Sequence, residues 1–302
     1  LIMLHLRRKN VVRYLDKQLD FNDSQVKKTL GNKFYIKFKS FELDNAKINS
    51  IAKLEEPYNL IFQINEKVLR HDYKEITNFC ISQLIDGDNN FHKDSIQPKE
   101  LTKLMISFLP ESKPLKIYNP FAGMSSLGLN VSSKQNYYAE EINEKIALIS
   151  ELRFLVFEKD NYQIKCKDSI TSLKNDLKRK FDFIVSTPPF TINIATKNSR
   201  IMESENSKLG FNSFVLDSFI SKLNKTGKAV LVMPESFLFS NNFSDKNIKK
   251  RLVNSNLLDT IIKLPKRLFN ATAINSCLIV IDKSRELNTT IKLVDASYNN
   301  QA

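Results

Sequence analysis

Ser186-Thr187-Pro188-Pro189-Phe190, which closes an apolar run after Lys180, is the most specific chemical signal in the chain. Two adjacent prolines fix a rigid loop that presents its carbonyl oxygens in one direction, and an aromatic ring follows them. The bland alternative is a strand ended by Pro-Pro, with Phe190 in the core. A second turn, Asn119-Pro120-Phe121-Ala122-Gly123-Met124-Ser125-Ser126, has small residues that let the backbone pass close to a ligand at a helix N-terminus. It is not GxGxxG, and no Gly-Lys-Ser/Thr is present, so neither a dinucleotide loop nor a phosphate loop is supported. A plain strand-to-helix connection fits the same residues. Roughly 20 residues on, Glu140-Glu141-Ile142-Asn143 offers a carboxylate to ribose hydroxyls. Equally, Asn143 can cap the following helix while both glutamates favour its positive end. Asp168-Ser169 is similar, either a partner for an adenine amino group or an ordinary turn.

Strands and helices must hold these turns, and the hydrophobic pattern supplies both. Pro98 opens a helix whose Leu101, Leu104, Met105 and Phe108 recur at helical spacing, closed by Pro110 and Pro114. Strands are predicted at 115–118, 136–141, 162–166, 181–185, 228–233, 257–263 and 275–282, and helices from about Ser126 and at 143–157, 211–223 and 245–254. Alternating strands and helices imply an α/β fold with a largely parallel sheet covered on both faces. In such a sheet ligands bind beyond the C-terminal ends of the strands, where all of these turns fall. Residues 1–90 mix Lys-rich helical patterns, such as Val11 to Leu19, with an alternating stretch, Phe34 to Phe38, that reads as a strand. Asp86-Gly87-Asp88-Asn89-Asn90 reads as a linker. It divides a mainly helical N-terminal region, 1–90, from the remainder, 91–302.

The composition bounds the partners. With 302 residues, 42% of them apolar and 26% charged, the chain is globular in type, and disordered, collagenous and coiled-coil readings fall away. Lys plus Arg number 46 against 33 Asp plus Glu, and the net charge of +13 points to a polyanionic partner. The longest apolar runs, Ala229 to Met233 and Cys277 to Ile281, are far shorter than the roughly 20 residues of a membrane span, so no membrane association is expected. Cys80, Cys166 and Cys277 form no CxxC pair, so neither a disulfide framework nor a zinc ribbon is supported, and no metal is expected. Apolar residues precede Arg7-Arg8-Lys9, the reverse of a secretory signal, and a cytoplasmic protein is expected. A chain that starts at Leu1 and stops in a polar tail is also expected to be a fragment. Between Phe190 and Phe211 lies a polar gap with Lys197 and Arg200, read as a surface loop or a lid that orders over the polyanionic partner. Lys246, Lys249, Lys250 and Arg251 share a helical face, either solvated or set against phosphate.

Together these residues resemble the adenine-N6 DNA methyltransferases, and within them the modification subunits of type I restriction-modification systems. The resemblance runs from about Gln97 to Asp295, about two thirds of the chain. Gln97-Pro98-Lys99-Glu100-Leu101 resembles that family's Thr-Pro-x-x-Leu helix start. Tyr118 to Gly123 resembles its Asp-Pro-Phe/Ala-x-Gly-x-Gly turn, which wraps the methionine part of S-adenosylmethionine. Tyr138 to Asn143 resembles Tyr-Gly-x-Glu-Ile-Asn, which selects Glu141 over Glu140 as the ribose ligand. Asp168-Ser169 resembles the Asp-Ser/Thr that contacts the cofactor's adenine, and Ser186 to Phe190 resembles the catalytic Ser-Asn-Pro-Pro-Tyr/Phe. Ile262 to Pro265 and Leu268-Phe269 are similar to the family's later strands.

The resemblance implies a Rossmann-like, S-adenosylmethionine-dependent methyltransferase sheet over 91–302. It assigns Gln97, Pro98, Asn119, Phe121, Ala122, Gly123, Glu141, Asp168 and Ser169 to the cofactor, and Thr187, Pro188, Pro189 and Phe190 to catalysis. It further implies methyl transfer to an adenine flipped from double-stranded DNA, with Phe190 stacked on the base. Most residues after Phe190 complete the sheet, so sequence choice is expected from a separate specificity subunit, with a restriction subunit as a further partner. Three positions depart from the pattern: Thr187 replaces Asn, Asn119 replaces an acid, and Ser125 stands where a second glycine is common. Both amino hydrogens of adenine need acceptors, because the nitrogen lone pair is delocalised into the ring. With its shorter reach and single hydroxyl, Thr187 is expected to weaken or abolish transfer, while the Pro188 carbonyl still accepts the other hydrogen. The alternative is therefore a catalytically degenerate subunit that binds cofactor or DNA. An RNA or protein methyltransferase of the same fold fits the later strands less well.

Overall fold

A computed structural model describes residues 2–15, 18–47, 61–87, 97–110, 114–176, 178–190, 210–269, 272–286 and 289–297. They group into two units, Leu1–His92 with Leu152–Lys159, and Lys93–Glu151 with Asp160–Ala302. The lid expected after Phe190, with Lys197 and Arg200, lies outside the described residues, as do positions 88–90 of the expected linker.

The first unit is mainly helical, with α1 (Ile2–Arg8), α2 (Asp23–Lys47) and α3 (Glu66–Gly87) around a hairpin of β1 (Val12–Leu15) and β2 (Gln18–Phe21). Two expectations are corrected here. The described residues of Val11 to Leu19 are not helical, because Val12 pairs with Phe21, Tyr14 with Leu19 and Arg13 with Asp20 across the hairpin. Alternating apolar positions suit that ladder better than one short helix. Phe34 to Phe38 is not a strand. Val26, Leu30, Phe34 and Phe38 are all buried at intervals of four while Ile36 is exposed, so the longer helical period overrides the local alternation. Gly31, at φ 70° and ψ 166°, breaks α2 in a conformation that only glycine adopts readily. Leu4, Leu69, Tyr73 and Val156 form a small core.

In the second unit, Phe183 to Val185, Ala229 to Met233 and Cys277 to Ile281 are buried continuously, which requires a sheet covered on both faces. Its strands are β3 (Lys116–Asn119), β4 (Asn136–Glu141), β5 (Tyr162–Cys166), β6 (Phe181–Ser186), β7 (Leu223–Pro234), β8 (Leu258–Lys263), β9 (Ser276–Asp282) and β10 (Lys292–Asp295), in the order β10-β8-β9-β7-β6-β3-β4-β5. All pairs are parallel except the two made by β9. The helices are α4 (Lys99–Ile106), α5 (Ser126–Asn130), α6 (Glu144–Val156), which from Leu152 onward belongs to the first unit, α7 (Ser169–Asn175), α8 (Phe211–Lys222), α9 (Ser236–Phe239) and α10 (Phe243–Asn254). Neither the reversal of β9 nor the existence of β10, a four-residue strand exposed throughout, is read from the sequence. Cys277 is buried in β9, and burial pushes its thiol up to about 12, so it stays protonated. No helix of the described residues is long and apolar enough to cross a membrane.

The chain runs from β3 outward to β4 and β5, then returns to place β6 on the other side of β3. The strand order therefore reverses between β3 and β6, and crevices form at such switch points.

Candidate active site

The turn after β3 curls tightly. Phe121, Gly123 and Ser125 have φ of 58°, 54° and 54°, and left-handed backbone is uncommon for the two that are not glycine. Three consecutive N–H groups of the turn are held from outside it. The Ala122 N–H donates to the Glu140 carbonyl at 2.9 Å, the Gly123 N–H to Glu141 Oε2 at 2.9 Å, and the Phe121 N–H to Ser169 Oγ at 3.1 Å. Ser125 is fully buried at the start of α5, and its hydroxyl has no partner among the described residues. Strain held in place by its surroundings is typical of ligand clamps.

Alternation along β4 decides which glutamate faces this turn. Glu141 is buried, and its second oxygen, Oε1, accepts from the Asn143 N–H at 2.9 Å. Each carboxylate oxygen keeps lone-pair capacity beyond these bonds. Glu140 points to the opposite face, where its Oε2 accepts from the Tyr118 hydroxyl at 2.7 Å. Burial first, then the Glu140 charge, raise the Tyr118 hydroxyl far above the ordinary tyrosine range, so it remains the donor. At the end of β5, Asp168 caps α7. Its Oδ1 accepts from the Ile170 N–H at 3.0 Å and its Oδ2 from the Thr171 hydroxyl at 3.2 Å.

The loop after β6 is joined to the turn after β3. The Ser186 hydroxyl donates to the Pro120 carbonyl. Asn119 is buried at 1% exposure. In the orientation that satisfies both ends of its amide, its nitrogen donates to the carbonyls of Val185 at 2.8 Å and Pro120 at 3.1 Å, and its oxygen accepts from the Tyr137 hydroxyl at 2.8 Å. Pro188 is buried and Pro189 exposed. The half-buried ring of Phe190 meets Phe269 edge-on, with centroids 5.6 Å apart at 84°. On the other side of the loop, the Thr187 hydroxyl donates to Gln97 Oε1 at 3.2 Å, and Gln97 Nε2 lies 3.0 Å from Met105 Sδ. Pro98 begins α4, and its carbonyl accepts from the N–H and hydroxyl of Thr102.

Hydrogen bonds thus tie Asn119, Phe121, Gly123, Glu141 and Ser169 into one network around the first turn, and Thr187 and Gln97 into a pair at the second loop. The Asp168 carboxylate is directed instead to its own helix. Tyr137, Ser125, Met105 and Phe269 belong to the site without having been assigned to it as binding or catalytic residues. By sequence Met105 is one of the residues at helical spacing after Pro98, Tyr137 falls inside the strand at 136–141, and Ser125 is a departure from the glycine pattern. Two of the four basic residues on α10 have partners within the chain, Lys249 half-buried and Arg251 in an exposed pair. Lys249 Nζ donates to the carbonyls of Phe237, Leu238 and Ser240 at the end of α9, and Arg251 pairs with Asp217. Among the described residues no group of three or more His, Cys, Asp or Glu side chains is placed to hold a metal ion.

Residues 93–302 match the family described as N-6 DNA Methylase. The methylase subunit of the type I restriction enzyme MpnII of Mycoplasma pneumoniae is 24% identical over 318 aligned positions, covering 92% of this chain and 54% of that protein. The corresponding HindI subunit of Haemophilus influenzae is 22% identical over 250 positions, covering 76% of this chain and 54% of that one. The chain spans about half the length of the curated relatives it matches. A crystal structure of a type I restriction-modification methyltransferase subunit from Streptococcus thermophilus shares the fold at a TM-score of 0.65 and 22% identity, covering 82% of this chain and 56% of that one.

Proposed function

The chain belongs to the N-6 DNA methylase family, and from that premise we propose that it is the modification subunit of a type I restriction-modification system, methylating N6 of an adenine flipped out of double-stranded DNA. The observation that carries this reading is the meeting, at the β3/β6 switch point, of a curled turn held by Glu141 and an acceptor loop held by Ser186.

The methyl donor is S-adenosylmethionine, and the residues present fit it. The left-handed turn, the buried Ser125 hydroxyl with no partner among the described residues and the residual acceptor capacity of Glu141 suit a ligand bearing an amino acid and a ribose. When bound, held by the turn after β3 and by Glu141, it would supply an electrophilic methyl group for N6 of the base. Phe121, Gly123 and Ser125 shape the turn that receives the donor, and Glu141 both fixes that turn and faces ribose hydroxyls. Thr187 Oγ1 and the Pro188 carbonyl accept the two amino hydrogens, which frees the lone pair of N6. Phe190, braced by Phe269, stacks on the base. The net charge of +13 holds the DNA backbone through salt-sensitive contacts without sequence information, so a separate specificity subunit selects the site. On α10 the phosphate contacts fall to the exposed Lys246 and Lys250.

The test is transfer of labelled methyl from S-adenosylmethionine to double-stranded DNA by the assembled complex, followed by digestion to nucleosides. Label in N6-methyladenine is the expected result, and none from either this chain or Thr187→Asn would overturn the reading. Cofactor binding without transfer by this chain, and transfer restored by Thr187→Asn, would instead establish a degenerate subunit, the reading that the single hydroxyl at 187 favours.

A further inference from the structure

We infer that Gln97 is a positioning residue whose amide oxygen takes the hydroxyl proton of Thr187, so that the Thr187 oxygen meets the target base as an acceptor. This rests on the adenine reading above, and it names what makes a threonine workable there. A threonine hydroxyl is one donor and two acceptor lone pairs on a free rotor. Left to itself it can offer either its hydrogen or its lone pairs to an incoming amino group. Thr187 is not left to itself. Its Oγ1 lies 3.2 Å from Gln97 Oε1 and 4.0 Å from Met105 Sδ, a longer contact to a weaker acceptor, and the amide nitrogen of Gln97 lies 3.0 Å from the same sulfur.

The sulfur settles which way the amide faces. A thioether can only accept, so the NH2 end belongs on Met105 and the oxygen end on Thr187. Met105 is fully buried in α4, and Gln97 sits just before Pro98, which starts that helix. The amide is therefore fixed from the helix side, not by the loop it serves. With its hydrogen given to Gln97, the Thr187 oxygen keeps its lone pairs for a donor arriving from the crevice. Donation in one direction also strengthens acceptance in the other, through polarisation along the chain of bonds.

The test compares binding of 2′-deoxyadenosine with that of its analogue lacking the 6-amino group, by ligand-observed NMR, to this chain loaded with S-adenosylhomocysteine. The chain is expected to prefer 2′-deoxyadenosine by about fivefold to tenfold, the scale of one net hydrogen bond. Gln97→Glu keeps an oxygen toward Thr187 and retains that preference. Gln97→Leu removes the oxygen and brings the two ligands within about twofold. A merely structural role for Gln97 would weaken both nucleosides alike and leave their ratio intact. The inference is overturned if the unmodified chain shows no preference, or if Gln97→Leu retains it. Methyl transfer to DNA is scored separately. A Gln97-dependent ratio without transfer sinks the catalytic reading and leaves the positioning role standing, whereas transfer with a Gln97-independent ratio does the reverse.

Discussion

Glu141 and Asp168 stand at equivalent places, each at or just past the end of a parallel strand and ahead of a helix, yet their carboxylates serve different ends. Glu141 reaches across to the N–H of Gly123 in the turn after β3, as well as to Asn143 in its own turn. Asp168 turns back on the first residues of α7. One acid organises a neighbouring element, and the other closes its own. A carboxylate at the same topological place therefore carries different information, and its partner decides which. A cap belongs to the helix it caps, whereas a bond between two turns belongs to whatever lies between them.

Substitutions can break this contrast. Glu141→Ala removes two charge-assisted bonds to backbone, each worth roughly 1.5–3 kcal/mol, and is expected to lower S-adenosylmethionine affinity by about 100-fold or more in calorimetry. An affinity within about threefold of the starting protein would erase the distinction. Asp168→Ala should act mainly on stability, at about 1 kcal/mol for a lost cap, seen as a melting shift of about 2–4 °C. Asp168→Ser, which can still cap, should recover the melting temperature. If Asp168→Ala weakened the cofactor as much as Glu141→Ala, the two turns would be equivalent after all. Ser169→Ala leaves the Phe121 N–H without its acceptor and should lower cofactor affinity by about threefold to tenfold. The smallest effect belongs to Glu140→Gln. Its amide still accepts from Tyr118 on the far face of β4, so cofactor affinity should stay within about twofold.

Much of the second unit was legible because its signals are local. Runs such as Phe183 to Val185 and Ala229 to Met233 are too apolar for anything but a doubly covered sheet. The turns of the site follow from those strands. The direction of β9 was not legible, because an apolar run reads the same in either direction and only its partners β7 and β8 fix its sense. In β10, four exposed residues carry too little burial for a pattern. Phe34 to Phe38 misled because a five-residue window fits both periods, and only Val26 and Leu30 upstream reveal the helical one. Within the site, residue types point to turns but not to bonds between them. That Thr187 meets Gln97, 90 positions away in sequence, depends on how the chain ahead of α4 comes to lie against the loop after β6, which no local pattern records.

Asn119 stands where the resembling family has an acid, yet its buried amide bridges the Pro120 carbonyl, the Val185 carbonyl and the Tyr137 hydroxyl, while Ser186 reaches the same Pro120 carbonyl. The two stretches of chain that follow β3 and β6 are thereby stitched together at their roots, and the expected consequence is kinetic. Neither can loosen without the other, so their amide hydrogens should exchange with solvent in a single shared opening event. A ligand that tightens one stretch would then slow escape of whatever occupies the other, which ties the residence times of cofactor and base without any change in the contacts each one makes.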